Sequence, residues 1–265
     1  MGSLIAFFFK TSMRSRRTLW LSLVTGVPVF CAVLLFLFRS LMARDGVTLE
    51  SIFPQISFYL YLHFLLPLMA VFMGSALIAD EVDERTLPYL LMCPMPRTQI
   101  LLAKALASVL TLSLLIFVSL GLTYSIMMLP AGLGGWMEHI PQLIQAAGVL
   151  LIGLIVYIPL FGLLGGLMKK PVLVGLLFTF GWENTVAFFP GNVKLLTVVY
   201  YLHRLFPDVA RAGSQSVENK ILQILLPASP MSVAAALAVL LGIGIVFTGT
   251  YALLLRWKEY RLEQT

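Results

Sequence analysis

Residues 80–104 read DEVDERTLPYLLMCPMPRTQILLAK and form a polar interruption in an otherwise apolar chain. Five of the six residues from 80 to 85 are charged. Each charge held at the centre of a bilayer costs about 2.5 to 3.5 kcal/mol, so this run is expected in water or on a partner. Leu87, Leu90 and Leu91 follow at helical spacing. We therefore predict a short amphipathic helix that lies on the membrane surface between two spans.

The composition is that of an integral membrane protein. Of 265 residues, 60% are hydrophobic and 11% are charged, whereas a typical soluble domain has about 25% charged residues. We predict one membrane domain over 1–265, because several spans of about 20 residues leave no room for a separate soluble domain. The net charge of +6 comes from residues that flank apolar runs, which indicates membrane topology and no nucleic-acid partner.

The fold class expected is an all-α membrane protein with six transmembrane helices. The apolar runs that predict them are 19–38, 56–79, 100–129, 143–168, 172–189 and 233–255. With the N-terminus inside, the cytoplasmic segments hold 12 of the 18 Lys and Arg residues. This excess places both termini in the cytoplasm, and the 80–104 loop on the same side.

Two further segments are predicted to lie at the membrane surface. Residues 1–17 combine an apolar patch with a cationic one, which is typical of an interfacial helix on the cytoplasmic leaflet. Residues 190–230 form the predicted external segment with short helices, and apolar residues at helical spacing in 195–205 predict an interfacial helix on the outer leaflet. Gly162 and Gly166 stand in Gly-x-x-x-Gly spacing, for which we expect packing between helices of the same chain.

The 80–104 loop resembles the loop between the second and third spans of ABC-2 type transporter permeases. The matching positions are Glu81, Glu84, Thr86, Leu87, Leu90, Leu91, Pro94, Arg97, Ile100 and Lys104. The sequence departs from that pattern at Arg85, where the family usually has Gly, and at Pro88, where it usually has a polar helix former. Trp182-Glu183 followed by Pro190-Gly191 more weakly resembles a segment after the fifth span of one subgroup.

The resemblance implies the membrane-spanning permease subunit of an ABC exporter, which forms the substrate path and couples to a separate ATPase. The implied coupling residues are Glu81, Glu84, Thr86, Leu87, Leu90, Leu91, Pro94, Arg97 and Lys104. The resemblance also implies two ATPase copies, which bind the ATP and Mg. The complex would contain two permease copies in the inner membrane of a prokaryote. A homodimer is the simpler expectation, and a second permease chain is the alternative.

Motifs for catalysis are absent from the sequence. No Gly-x-x-x-x-Gly-Lys-[Ser/Thr] phosphate loop occurs, and neither do His-Glu-x-x-His or Gly-x-Ser-x-Gly. We therefore expect no catalytic residue, no metal site and no cofactor on this chain. His63, His139 and His203 have no Cys, His or acidic residue at ligand spacing, so we expect isolated imidazoles that form hydrogen bonds near the outer ends of spans.

Glu183 is an ionisable residue inside an apolar run, which makes it a candidate functional group. On that hypothesis Glu183, with its neighbours Trp182 and Asn184, lines the substrate path or the outer gate. The alternative is structural: Glu183 caps the outer end of the fifth span near Asn184, or forms an ion pair with Lys194 or Arg204. The sequence leaves both interpretations open.

Two other functions remain as alternatives to the exporter. A carrier driven by an ion gradient would need polar groups near the middle of the membrane and repeated halves, and the sequence offers only Glu183 and no clear repeat. A membrane assembly scaffold would use the same loop to recruit an ATPase without moving a solute.

Overall fold

The computed structural model describes residues 2–42, 48–83, 97–186, 192–206 and 232–257. Within these ranges the chain is helical apart from short connections, and they contain no strand. This agrees with the predicted all-α class. The α-helices in chain order are α1 Gly2–Met13, α2 Arg16–Leu37, α3 Arg39–Met42, α4 Leu49–Ile56, α5 Leu66–Asp83, α6 Arg97–Met128, α7 Gly132–Glu138, α8 Ile140–Leu167, α9 Pro171–Leu176, α10 Asn184–Val186, α11 Val198–Leu205 and α12 Val233–Trp257.

Two π-helical segments and two 3₁₀ turns complete the described elements. The π-helical segments are Ser57–Leu65, between α4 and α5, and Leu177–Glu183, after α9. The 3₁₀ turns are Leu129–Ala131 and Asn192–Leu196. Each π-helical turn widens the helix by one residue, an arrangement that is frequent at functional sites.

Five helices among the described residues are long and apolar enough to cross a membrane. They cover Arg16–Leu37, Leu49–Leu77, Gln99–Ala131, Ile140–Leu167 and Val233–Tyr251. They correspond to five of the six predicted spans. The predicted span at 172–189 falls on the shorter apolar helix Pro171–Glu183, and its last residues lie outside the described ranges. Six spans and the cytoplasmic location of the termini therefore stay predictions.

The centre of the described fold is the contact between α5 and α8. Their backbones approach closely because glycines face the contact: a Cβ on Gly165 would lie 2.4 Å from the carbonyl oxygen of Ser75, and one on Gly74 would lie 2.8 Å from the Cβ of Phe161. Small residues permit such an approach in lipid. Gly162 of the predicted pair also packs within the chain, since a Cβ there would lie 3.0 Å from the ring of Tyr251, although Gly165 makes the tighter contact.

A buried hydroxyl network ties the first π-helical segment to its neighbours. The Tyr61 hydroxyl lies 2.8 Å from the Ser119 hydroxyl and 2.9 Å from that of Thr123, both on α6. Ser119 donates in turn to the carbonyl oxygen of Thr25 on α2 over 2.5 Å. Since each polar group has a partner, the network can be buried at low cost.

The N-terminal segment forms the predicted helix, α1, which packs on α6. Ser15 begins α2 by accepting a hydrogen bond from the Thr18 backbone N–H over 3.2 Å, a standard N-cap. The Thr18 hydroxyl donates to the Ser12 carbonyl oxygen over 2.6 Å. These bonds fix the bend between α1 and α2. The position of α1 at the membrane surface stays a prediction.

Candidate functional site

Each π-helical segment presents one ionisable side chain to the short helix α11. Ser57–Leu65 carries His63, and Leu177–Glu183 ends at Glu183. Both side chains are buried, with exposed fractions of 9% and 1%. Helix α11 is therefore held by groups from two irregular turns that lie far apart in the sequence.

Glu183 binds the N-terminus of α11. Its carboxylate accepts hydrogen bonds from the backbone N–H groups of Val198 and Val199, over 3.2 Å and 3.0 Å, and from the Tyr157 hydroxyl over 3.0 Å. The preceding residue, Thr197, supplies no side-chain cap of its own. A carboxylate at a helix N-terminus satisfies unpaired N–H groups and interacts favourably with the helix dipole.

The carboxylate lies deep in the bundle. Tyr157 is on α8, which has 28 residues. With a rise of about 1.5 Å per residue, Tyr157 lies about 5 Å along the helix axis from the midpoint of α8. Leu202 of α11 packs near Gly153, close to the same midpoint. The N-terminus of α11 thus reaches the middle of a helix long enough to span the membrane, where a carboxylate needs partners to be tolerated.

The remaining groups predicted around Glu183 have different environments. Trp182 is 44% exposed, and the side chain of Asn184 lies outside the described part of the structure. Lys194 and Arg204 do not supply the hydrogen bonds described for Glu183; both cations lie over the ring of Tyr200, at 5.4 Å and 5.6 Å from its centroid. Glu183 caps α11, whereas the structural alternative predicted a cap at the outer end of the fifth span.

His63 and His203 contact each other at the other end of α11. Their Nε2 atoms lie 2.7 Å apart, so one nitrogen donates and the other accepts a shared proton. Phe58 packs against both imidazoles, with its ring centroid 5.0 Å from that of His63 and 4.8 Å from that of His203, and Phe206 packs against Phe58 at 5.4 Å. The expectation that these two histidines are isolated is therefore wrong.

A third contact fixes the C-terminus of α11. Gln145, near the start of α8, donates from Nε2 to the carbonyl oxygen of Leu205 over 3.0 Å. We call the side chains that hold both ends of this helix, Glu183, Tyr157, His63, His203 and Gln145, the α11 clamp. Helix α11 is consequently more buried than a surface helix, with six of its eight residues buried; its predicted place in the outer leaflet stays a prediction.

The predicted ATPase-coupling residues fall mostly outside the described structure. Glu84, Thr86, Leu87, Leu90, Leu91 and Pro94 lie in 84–96, which is outside the described ranges. Glu81 belongs to the last turn of α5 and Arg97 begins α6. Lys104, about two turns further along α6, donates from Nζ to the Leu77 carbonyl oxygen over 3.0 Å. The loop is thus held between the ends of two long helices.

A metal site is not formed by the described residues, since within them no three His, Cys, Asp or Glu side chains come together. Two imidazoles without a third ligand fall short of the coordination that structural and catalytic zinc sites use. The chemistry that the α11 clamp supports is hydrogen bonding, proton sharing and the fixing of a helix.

Sequence reasoning singled out Glu183 and missed its partners. The two backbone N–H groups become donors only because the start of α11 packs beside Glu183, and hydrophobic periodicity carries no signal for that packing. Tyr157 reads as one more apolar residue of the fourth span. His63 and His203 are 140 residues apart, so no spacing rule connects them.

The family model described as ABC-2 family transporter protein matches residues 8–242. The match includes the 80–104 loop and every residue of the α11 clamp. No curated protein matches the chain.

Proposed function

Because the chain belongs to the ABC-2 family of transporter proteins, we propose that it forms the substrate path of an exporter and couples to a separate ATPase through the 80–104 loop. Its membership of this family and its long apolar helices indicate that the chain is a multi-pass membrane permease of an ABC transporter. The observation that carries the proposal is the family match over 8–242.

The loop has the chemistry of a docking element. Leu87, Leu90 and Leu91 would enter an apolar groove of the ATPase, while Glu81 and Glu84 would pair with charges at its rim. The other proposed contacts are Thr86, Pro94 and Arg97. Lys104, which was predicted with them, supports the loop from within the chain through its bond to the Leu77 carbonyl oxygen. An ATPase that closes on nucleotide can act on the membrane only through a contact of this kind.

The packing of the spans offers a route from the loop to the α11 clamp. Helix α5 ends beside the loop and packs on α8 through Gly74 and Gly165. Helix α8 carries Tyr157 and Gln145, which bind the two ends of α11 through Glu183 and Leu205. We infer that a displacement of α5 is passed through α8 to α11.

The site around Glu183 is proposed as the outer gate of the path, with Trp182 and Asn184 beside it. In this role Glu183 pins α11 and does not carry a coupling ion, because its oxygens already accept three hydrogen bonds from the chain itself. A carrier driven by an ion gradient would need a carboxylate that exchanges partners, so this arrangement favours the exporter.

The assembly proposed has two permease copies and two ATPase copies in the inner membrane of a prokaryote. A homodimer is the simpler form, with the substrate path along the two-fold axis. ATP and Mg are bound by the ATPase subunits, and this chain is the non-catalytic partner. Membrane lipids surround the apolar spans.

Purification from native membranes tests the coupling. A tagged chain should retain an ATPase that carries a phosphate-loop motif, and Leu90→Asp with Leu91→Asp should release it. The matched control is Leu195→Asp with Leu196→Asp, two exposed leucines on the predicted outer side, which should leave the ATPase bound. If the ATPase stays bound to the variant with Leu90→Asp and Leu91→Asp, the loop is not its docking element. If no preparation contains an ATPase, a carrier is favoured.

A further inference from the structure

A cavity of about 320 Å³ lies between α1, α5 and α6. Its wall includes Met73 and Leu77 of α5 and Lys104 and Ser108 of α6, which lie about two to three turns from the helix ends that adjoin the 80–104 loop. These two helix ends flank the 80–104 loop, so the cavity lies toward the membrane face on which that loop emerges. Helix α1 forms its third side.

The polar wall of the cavity suits a phosphate group. Arg17 and Lys104 supply a guanidinium and an ammonium, and Thr11, Ser12 and Ser108 supply hydroxyls. No carboxylate lines the cavity among the described residues. The bond from Lys104 Nζ to the Leu77 carbonyl oxygen fixes the ammonium at the wall. Arginine and lysine beside hydroxyl donors are the groups that proteins use to bind phosphate oxygens.

Ser12 gives an independent indication of a ligand. Its Oγ is buried and has no hydrogen-bond partner among the described residues. The neighbouring hydroxyls of Ser15 and Thr18 are paired with each other over 3.0 Å. A buried hydroxyl without a partner is unfavourable, and a ligand oxygen that bonds to the Ser12 Oγ would remove that cost.

The apolar wall distinguishes a lipid from a free anion. Phe8, Met73 and Leu77 line the cavity beside the polar groups. An inorganic phosphate would leave this apolar surface uncovered, whereas the glycerol and first methylenes of a phospholipid would cover it. Lys10, Arg14 and Arg16 are exposed on the same N-terminal segment, and clusters of this kind attract anionic leaflets.

We infer that this cavity binds an anionic phospholipid of the adjacent leaflet, with its phosphate between Arg17, Lys104 and Ser12 and its glycerol region against Phe8 and Met73. The bound lipid joins α1 to the ends of α5 and α6. It is a site for a membrane component, separate from the substrate path and from the α11 clamp.

Native mass spectrometry of the purified protein tests this inference. The protein is mixed with phosphatidylglycerol or phosphatidylethanolamine, and the lipid retained after activation is counted. Phosphatidylglycerol should be retained preferentially, and Arg17→Gln with Lys104→Gln should weaken its retention by about tenfold or more, which corresponds to about 1.4 kcal/mol. The matched control is Lys169→Gln with Lys170→Gln, which removes two exposed cations elsewhere and should leave retention unchanged.

Two further measurements distinguish lipid binding from a folding defect and from binding of a free anion. Ser12→Ala keeps both cations and should weaken phosphatidylglycerol retention without lowering the unfolding temperature of lipid-free protein. Excess inorganic phosphate should not displace the lipid. Equal retention of the two lipids, equal loss in the control pair, unchanged retention in Ser12→Ala, or displacement by phosphate would each overturn the assignment.

Discussion

The carboxylate of Glu183 accepts a hydrogen bond from the Tyr157 hydroxyl over 3.0 Å. This bond joins the end of the second π-helical segment to α8, and the same carboxylate holds the first N–H groups of α11. The relationship makes Glu183 a positioning residue for α11.

Replacing Glu183 tests this positioning. Glu183→Ala should destabilise the protein by about 3 kcal/mol or more, because it leaves buried N–H groups without an acceptor. Glu183→Gln should cost less, since it keeps an acceptor oxygen. Thermal unfolding in detergent measures both, and Glu138→Gln is the control because Glu138 is exposed. If Glu183→Ala and Glu183→Gln unfold at the same temperature as this control variant, Glu183 does not hold α11.

Tyr157→Phe separates the hydroxyl from the ring. The change should cost about 1.5 to 3 kcal/mol, the usual contribution of a hydrogen bond to a charged group. In a double-mutant cycle with Glu183→Ala, the double variant should lose less stability than the two single variants lose together, because each single change removes the same hydrogen bond. Fully additive unfolding free energies would show that the two side chains do not act together.

The pair of histidines predicts a second coupled contact. His203→Leu removes the Nε2 partner of His63 and should cost about 1 to 3 kcal/mol, while His203→Gln should cost less because it can still form a hydrogen bond. His139→Leu serves as the control, since His139 bonds only within its own turn to Gly135 among the contacts described. Equal unfolding temperatures for the two Leu variants would contradict the contact seen between His63 and His203.

The contact between α5 and α8 predicts a contrast between two glycines of one helix. Gly165→Ala places a methyl 2.4 Å from the Ser75 carbonyl oxygen, so it should destabilise by about 1 to 3 kcal/mol as the helices move apart. Gly148→Ala meets no atom within 4 Å and should be neutral, or stabilising by up to about 1 kcal/mol. Thermal unfolding compares them, and the reverse order would contradict the packing of α8 on α5.

Much of the fold follows from the sequence because apolar length is a local property. Five of the predicted spans coincide with long helices, since about 20 apolar residues in lipid have few alternatives to a helix. The predicted span 172–189 shows where this reasoning stops. Hydropathy alone does not reveal that the run contains π-helical turns and that Glu183 binds a helix formed 15 residues later.

The candidate site was only partly predictable for the same reason. An ionisable residue in an apolar run draws attention to Glu183 from the sequence alone. Its donors, and the contact between His63 and His203, depend on how α11 packs along α8, which is a tertiary property. Periodicity predicted that α11 is an amphipathic helix but not that its apolar face is buried in protein.

The orientation of the chain can be measured with its own cysteines. In a Cys31→Ser background, the remaining native cysteine is Cys93 in the 80–104 loop. A membrane-impermeant maleimide should label it in inverted vesicles and not in intact cells, because the charge distribution predicts that this loop is cytoplasmic. Labelling from outside intact cells would reverse the predicted topology.

Photo-crosslinking from position 90 tests the central claim most directly. A benzophenone amino acid in place of Leu90, in native membranes, should crosslink this chain to a protein that carries a phosphate-loop ATPase motif, because the 80–104 loop is the proposed docking element. The same probe at Leu196, exposed on the predicted outer side, should give no such product. Crosslinks from position 90 to lipid alone would contradict the coupling of this permease to a separate ATPase through this loop.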